Sequence, residues 1–285
     1  MIKELLVIGD SWTFGSEIRP DDLPESVRDW DKENDEYRIE RIWPTKLANR
    51  MGLDKVTNIS FPGASNDWCI RKLVSWLFTN YISNKKSTKD LFVVFGLTSP
   101  ERRDFFYEDE KQSGYWATTW PMWKHDYVHD KLNQFVDLYS ENFNNDIDNT
   151  HRYVSQLFYL QNFFKTYGIN FLFFQSFYQN NKSIYEWKDK PYVEYTKMQW
   201  ESNLIGQPDN LVWNEIDHVR FMNKHKRIHS FHNYVVNIDK NSGTNDAFII
   251  MHPSEKAHTW WADYVFEYCT EHNLFEGLET KKKLI

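Results

Sequence analysis

Three short stretches of this sequence carry residue types suited to acyl transfer. The first is Gly9-Asp10-Ser11, directly after the apolar run Leu5-Leu6-Val7-Ile8. A serine on the turn leaving a buried strand has an exposed hydroxyl, and the helix N-terminus that follows offers N–H groups to an oxyanion. The second is Met251-His252-Pro253-Ser254. Histidine is the commonest general base for a serine nucleophile, and Pro-Ser starts a helix, which fixes His252 at a loop-to-helix junction. The third runs from Asn58 to Asp67 (NISFPGASND), where Gly63 lets backbone approach a ligand and aim an N–H at a developing oxyanion. Each stretch alone also reads as ordinary structure: a helix cap, a histidine before a helix, a turn glycine.

Such residues must be held by a frame. The apolar runs 5–8, 91–97 and 170–175 read as buried strands of a parallel sheet, and residues 56–61 (VTNISF), ending at Pro62-Gly63, read as a further strand. Between and after them, helical spacing of apolar residues marks 42–51, 67–82, 150–167 and 255–271, with Ser65 or Asn66 capping the second of these. Pro44 falls in a first turn, where it is tolerated. Strand–helix alternation implies an α/β fold with a central parallel sheet covered on both sides. The charged stretch 20–40 reads as a surface loop or mobile lid. Residues 100–149 and 177–248 break the alternation and are too long for ordinary loops. They are taken as insertions at the carboxyl ends of the strands, where open α/β sheets bind ligands, within a single domain spanning 1–285.

Taken together, the serine near the first strand, the glycine after the second and the His-Pro before the last helix resemble the SGNH (GDSL-type) hydrolase superfamily. The resemblance covers residues 4–16, 56–75, 91–104 and 246–268. It implies a flavodoxin-like three-layer α/β/α sandwich, with Ser11 as nucleophile, Gly63 as an oxyanion donor and His252 as general base. The run Thr98-Ser99-Pro100-Glu101-Arg102-Arg103-Asp104 and the two phenylalanines after it look like a variant found in SGNH-like proteins of tailed phages.

Two positions depart from that family. Its third block usually places an asparagine as a further oxyanion donor; here that position is Thr98, so either the Thr98 hydroxyl or the Asn66 side chain from the second block takes the role. Its aspartate three residues before the histidine is Ile249 here. Asp246, with Asp239 further back, is the nearest acid, so either Asp246 reaches His252 or a Ser–His dyad works with a backbone carbonyl. The implied activity is an ester hydrolase, an esterase or carbohydrate deacylase, working through an acyl-enzyme on Ser11. The alternative is a catalytically weak SGNH-fold binding or virion-associated protein. Arg102 follows the third strand and could clamp an anionic substrate group.

Composition narrows the partners. Lys+Arg 34 against Asp+Glu 41 gives a net charge of −7, which argues against nucleic acid. No Walker or Gly-x-Gly-x-x-Gly pattern calls for a nucleotide, so no cofactor is expected. His218, His225, His229 and His232 read as a polar, partly basic face rather than a metal site. Cys69 and Cys269 read as buried thiols. No window approaches the ~20 apolar residues of a membrane span and no leader is evident, so the expectation is a cytoplasmic protein, or host cytoplasm or virion for a phage chain. Aromatics make up 18% of the chain. Tyr115, Trp116, Trp120 and Trp123 read equally as core or as the roof of a cleft.

Overall fold

The computed structural model describes residues 2–24, 26–109, 112–119, 130–177, 209–222 and 230–275. A four-stranded parallel sheet forms its centre, in the order β2 (Val56–Asn58), β1 (Glu4–Ile8), β3 (Leu91–Leu97), β6 (Asn170–Gln175). β1 pairs Leu5–Val7 with Val56–Asn58 on one side and Glu4–Ile8 with Leu91–Phe95 on the other. Side chains alternate across a strand, so β1 feeds two cores. Leu5 and Val7 point into one, with Trp43 and Leu47 of α3 (Trp43–Met51) and Trp261 and Val265 of α9 (Glu255–Glu271). Leu6 and Ile8 point into the other, with Leu73 and Leu77 of α4 (Asn66–Leu77) and Val154, Leu157 and Phe164 of α6 (Asp146–Tyr167). The expected α/β/α layering is therefore present, with cores of Leu, Val, Phe and Trp on both faces of the sheet.

The order 2-1-3 places a topological switch point beside β1, where strand order reverses and a crevice opens outside the carboxyl ends of β1 and β3. The turn leaving β1 is forced tightly against the end of β3. A Cβ on Gly9 would collide with the Thr13 side chain and come within 3.0 Å of the Gly96 carbonyl. A Cβ on Gly96 would stand 2.7 Å from Thr13 Oγ1 and 2.7 Å from the Phe174 ring. Only glycine fits at either position.

Several boundaries differ from expectation. Residues 20–40 are not all loop: α2 (Lys32–Arg41) occupies their second half. This helix has almost no apolar stripe, so its spacing gave no signal. Its buried residues are polar, Asn34 and Arg38, and Arg38 donates to the Phe14 carbonyl at 2.7 Å and lies 3.7 Å from the Phe14 ring centre. β2 ends at Asn58 rather than at residue 61, because the Asn58 side chain accepts from Ser60 N–H and turns the chain. α4 runs on through a π turn, Phe78–Ile82. The stretch 100–149 holds an antiparallel hairpin, β4 (Arg103–Asp109) and β5 (Gln112–Thr119), then α5 (Asp130–Asn142) and the first turn of α6. The described parts of 177–248 contain α7 (Asp209–Glu215) and α8 (Phe231–Ser242). Among the described residues, no helix is long and apolar enough to cross a membrane.

A fully buried polar contact joins α3 to α9, beneath the Lys46–Glu255 and Arg50–Asp263 ion pairs. The N-cap of α3 is Ile42, which has no side chain to accept a hydrogen bond. Fully buried His258 takes that place: its Nδ1 accepts the Trp43 N–H at 3.3 Å. Burial, aided by the nearby charges of Lys46 and His252, pushes His258 down to about 3. A histidine held neutral below its unfolded pKa costs stability as pH falls, because the unfolded chain binds the proton first. The loss starts near pH 6.5, steepens towards about 1.4 kcal/mol per pH unit, and levels off only near pH 3. Replacing His258 by Asn keeps an acceptor and removes the titration. Denaturant unfolding of wild type and His258→Asn at pH 7 and pH 5 should show the wild type losing roughly 2 kcal/mol more between the two.

Candidate active site

Ser11 opens α1 (Ser11–Phe14), a single turn between the end of β1 and Gly15. Asp10 caps it, Oδ1 accepting the Trp12 N–H at 3.1 Å. Gly15 ends it in the left-handed region, φ +89°, donating back to the Ser11 carbonyl at 2.9 Å. The Trp12 ring anchors the turn among Phe177, Phe231, His232 and Phe248, with ring centres 5.0–5.7 Å away. Phe248 in turn bridges Pro253, so the segment carrying His252 is a closed loop resting on α1. Inside that loop Ile249 N–H donates to the His252 carbonyl at 3.0 Å, and Ser254 caps α9.

The acid beside His252 is Glu17, not Asp246. Glu17 Oε1 lies 3.0 Å from His252 Nδ1. Its other oxygen, Oε2, accepts the N–H groups of Ile250, Met251 and His252 at 3.0, 3.1 and 3.2 Å. Burial alone would raise this carboxyl, but the His252 contact and the N–H bonds outweigh it and bring Glu17 down to about 2. Asp246 instead pairs with Lys256 at 3.0 Å on the exposed side of the loop, and Asp239 accepts the Asp246 N–H.

Glu17 stands in the left-handed region, φ +68°, which disfavours any residue with a Cβ. Contacts on both sides hold it there. Its N–H donates to Asp29 Oδ2 at 2.9 Å. Buried Asn34 ties that loop down, donating to the Ile18 and Asp29 carbonyls. Nothing in the linear spacing marks Glu17. It lies six residues past Ser11 and 235 before His252, and only the one-turn helix closed by Gly15 folds it back.

The remaining expected residues gather near the same turn. Gly63 has φ +75°, and Phe61 N–H, two residues earlier, donates to the Gly9 carbonyl at 3.2 Å. Asn66 is buried with its amide turned to the Thr98 main chain, Oδ1 accepting the N–H at 3.0 Å and one of the two Nδ2 hydrogens donating to the carbonyl at 3.1 Å. The Thr98 side chain lies beside Asp10. Arg102 is buried behind the turn, with Nη1 donating to the Ala64 carbonyl at 3.1 Å and 3.9 Å from Asp10 Oδ2. Burial raises the Asp10 carboxyl against the pull of Arg102 and Thr98. Arg103 and Asp104 go elsewhere, to Asp148 and to Arg71.

The histidine cluster does not assemble among the described residues. His232 sits half-buried against Trp12 and Phe248, its pKa pushed down by burial. His218 shows only a weak backbone contact with Tyr268, and His225 and His229 lie outside the described residues, as do Trp120 and Trp123. No three His, Cys, Asp or Glu side chains come together as a metal site among the described residues. Both cysteines are buried and free. Tyr115 is half-buried, and Trp116 is exposed with Arg71 3.9 Å from its ring centre.

A carboxyl held this low stabilises the fold above its unfolded pKa near 4.5, and the contribution fades as pH falls towards 2. Glu17→Gln keeps the shape and removes the charge. It should cost on the order of 1–3 kcal/mol at pH 7, with the gap to wild type narrowing below pH 4.5. Denaturant midpoints at pH 7 and pH 3 read both effects.

The family model described as "Family of unknown function (DUF6071)" matches residues 21–280. No curated protein matches the chain. Among solved structures, the esterase EstA from Pseudoalteromonas sp. is 11% identical, with a TM-score of 0.43 over 94% of this chain and 97% of that one. A member of the lipolytic G-D-S-L family from Veillonella parvula is 11% identical, TM-score 0.39, over 94% and 97%. The acetyl xylan esterase AlAXEase is 12% identical, TM-score 0.44, over 93% and 98%. Likeness this distant decides nothing about the chemistry, which rests on the residues above.

Proposed function

The chain belongs to the DUF6071 family, whose function is unknown, and from its site we propose that it is a serine hydrolase cleaving a carboxylic ester through an acyl-enzyme on Ser11. The observation that supports this is the Glu17–His252 pair. A carboxylate on Nδ1 fixes the tautomer that leaves Nε2 as the base and stabilises the imidazolium formed when it takes a proton. His252 removes the Ser11 hydroxyl proton as Oγ bonds the acyl carbon. The carbonyl oxygen becomes an oxyanion received by the N–H groups of Ser11 and Gly63. The ester C–O bond breaks, and the alcohol leaves with the proton from His252. Water then attacks the acyl-enzyme with His252 again as base, releasing the carboxylic acid and restoring Ser11.

Asn66 committed to Thr98 argues for a modest rate, since one oxyanion donor is worth about 10²–10³ in kcat. The same feature favours the alternative, a binding protein that keeps this constellation without turnover.

Hydrolysis of p-nitrophenyl acetate and labelling by a fluorophosphonate separate the two. Wild type should turn over and label at Ser11. Ser11→Ala and His252→Ala should fall by at least ~10³, and Glu17→Gln by ~10² or more. Equal rates in all four proteins, with no label on Ser11, would leave the binding protein.

A further inference from the structure

Resting on that reading, we infer that the ester carries an apolar group of several carbons, received by a rim formed by Ile250 and Met251 on one side and by Trp30 and Phe61 on the other. Three segments hydrogen-bond to the stretch Gly9–Glu17 that frames Ser11, and each presents large apolar side chains to solvent. The His252 loop, held by Glu17 Oε2, exposes Ile249, Ile250 and Met251 in succession, Ile250 by 77%. The loop after Glu17, held through Asp29, exposes Trp30 by 46%. The turn after β2, held by the Gly9 carbonyl, exposes Phe61 by 44%. Trp30 and Phe61 meet across segments with ring centres 6.3 Å apart, and Phe61 continues to Trp68 at 5.7 Å.

Single exposed apolar side chains are ordinary, whereas three in a row on a hydrogen-bonded loop beside the general base are a patch that water disfavours. The ligand chemistry follows from the residue types. Isoleucine and methionine have no π face on which a sugar ring could stack and nothing to offer its hydroxyls, but they cover methylenes well. The aromatic side accepts the same group. This narrows the substrate from any small ester to one with an apolar chain or ring adjoining the scissile bond.

Chain-length selectivity tests the idea. Each methylene covered is worth about fourfold in binding (~0.8 kcal/mol). Wild type should therefore prefer p-nitrophenyl butyrate to the acetate by roughly tenfold in kcat/KM, and the hexanoate further still. Ile250→Asn and Trp30→Ser should each bring the butyrate-to-acetate ratio towards one, a readout that a general loss of activity does not move. A wild-type ratio near one, or variants that keep the wild-type ratio, overturns the rim. Calorimetric binding of p-nitrophenyl hexanoate to the Ser11→Ala protein reads the rim without turnover. Tighter binding than of the acetate, lost on adding Trp30→Ser, supports the rim even if Ser11 proves inert and the hydrolase reading falls. Equal binding of the two esters overturns the rim alone.

Discussion

The Glu17 carboxylate joins two segments 235 residues apart and leaves neither free to choose its own position. One oxygen meets the His252 ring, and the other takes three successive N–H groups of the loop that carries it. A charged acceptor with that many donors makes strong, short-range bonds, and they are needed, because Glu17 occupies a backbone conformation an L-residue avoids. The Asp29 carboxylate on its N–H completes the arrangement. The strain is local and the contacts that offset it come from two other segments, which is the usual condition for such a residue to persist at a functional site. Remove the carboxylate, and three N–H groups of the His252 loop lose the one acceptor they share, and the backbone loses its reason to stay left-handed.

The frame beneath is a sheet whose residues are dictated by space. Gly9 and Gly96 have no side chain because Thr13 and Phe174 occupy the volume, so α1 lies directly on the ends of β1 and β3. Close packing there fixes the first turn of α1, whose Trp12 and Thr13 N–H groups are taken by Asp10, at the switch point. Trp12 then fixes α1 laterally by filling the space between Phe231 and Phe248. The position of Ser11 is thus a consequence of steric fit below and aromatic packing beside it.

Much of this was legible in the residues. β1, β3 and β6 announce themselves as apolar runs, while β2 is the half-buried Val56–Asn58, and α3, α4, α6 and α9 show as stripes of Leu, Val and Trp. Ser11, Gly63 and His252 are legible because each sits beside a strand end or a helix start that sequence marks. Glu17 was not, because an acid partner is defined by a fold through space. Counting back from His252 leads to Asp246, which the loop turns outward to Lys256. α2 gives no signal for a related reason: its buried residues are Asn34 and Arg38, the latter packing its guanidinium on Phe14, and hydrophobic periodicity does not register polar residues used in that way. Spacing alone offers the Asn66 amide to substrate, whereas the fold turns it to the Thr98 main chain, just past the end of β3.

The pair Asp10 and Arg102 shows how the site is kept in register from behind. Both side chains are buried, and burying either alone would be costly. Such a pair contributes little net stability against an apolar substitute, so its retention asks for another reason. Arg102 also donates to the Ala64 carbonyl, next to Gly63. One guanidinium therefore spans the cap of α1 and the turn bearing Gly63, the two sources of N–H groups that would face the acyl oxygen. An apolar residue of the same volume could fill the space, but it could not hold those two turns at a fixed separation. That separation sets whether two donors could converge on one oxygen, which is the reason we propose for keeping a buried ion pair behind this turn.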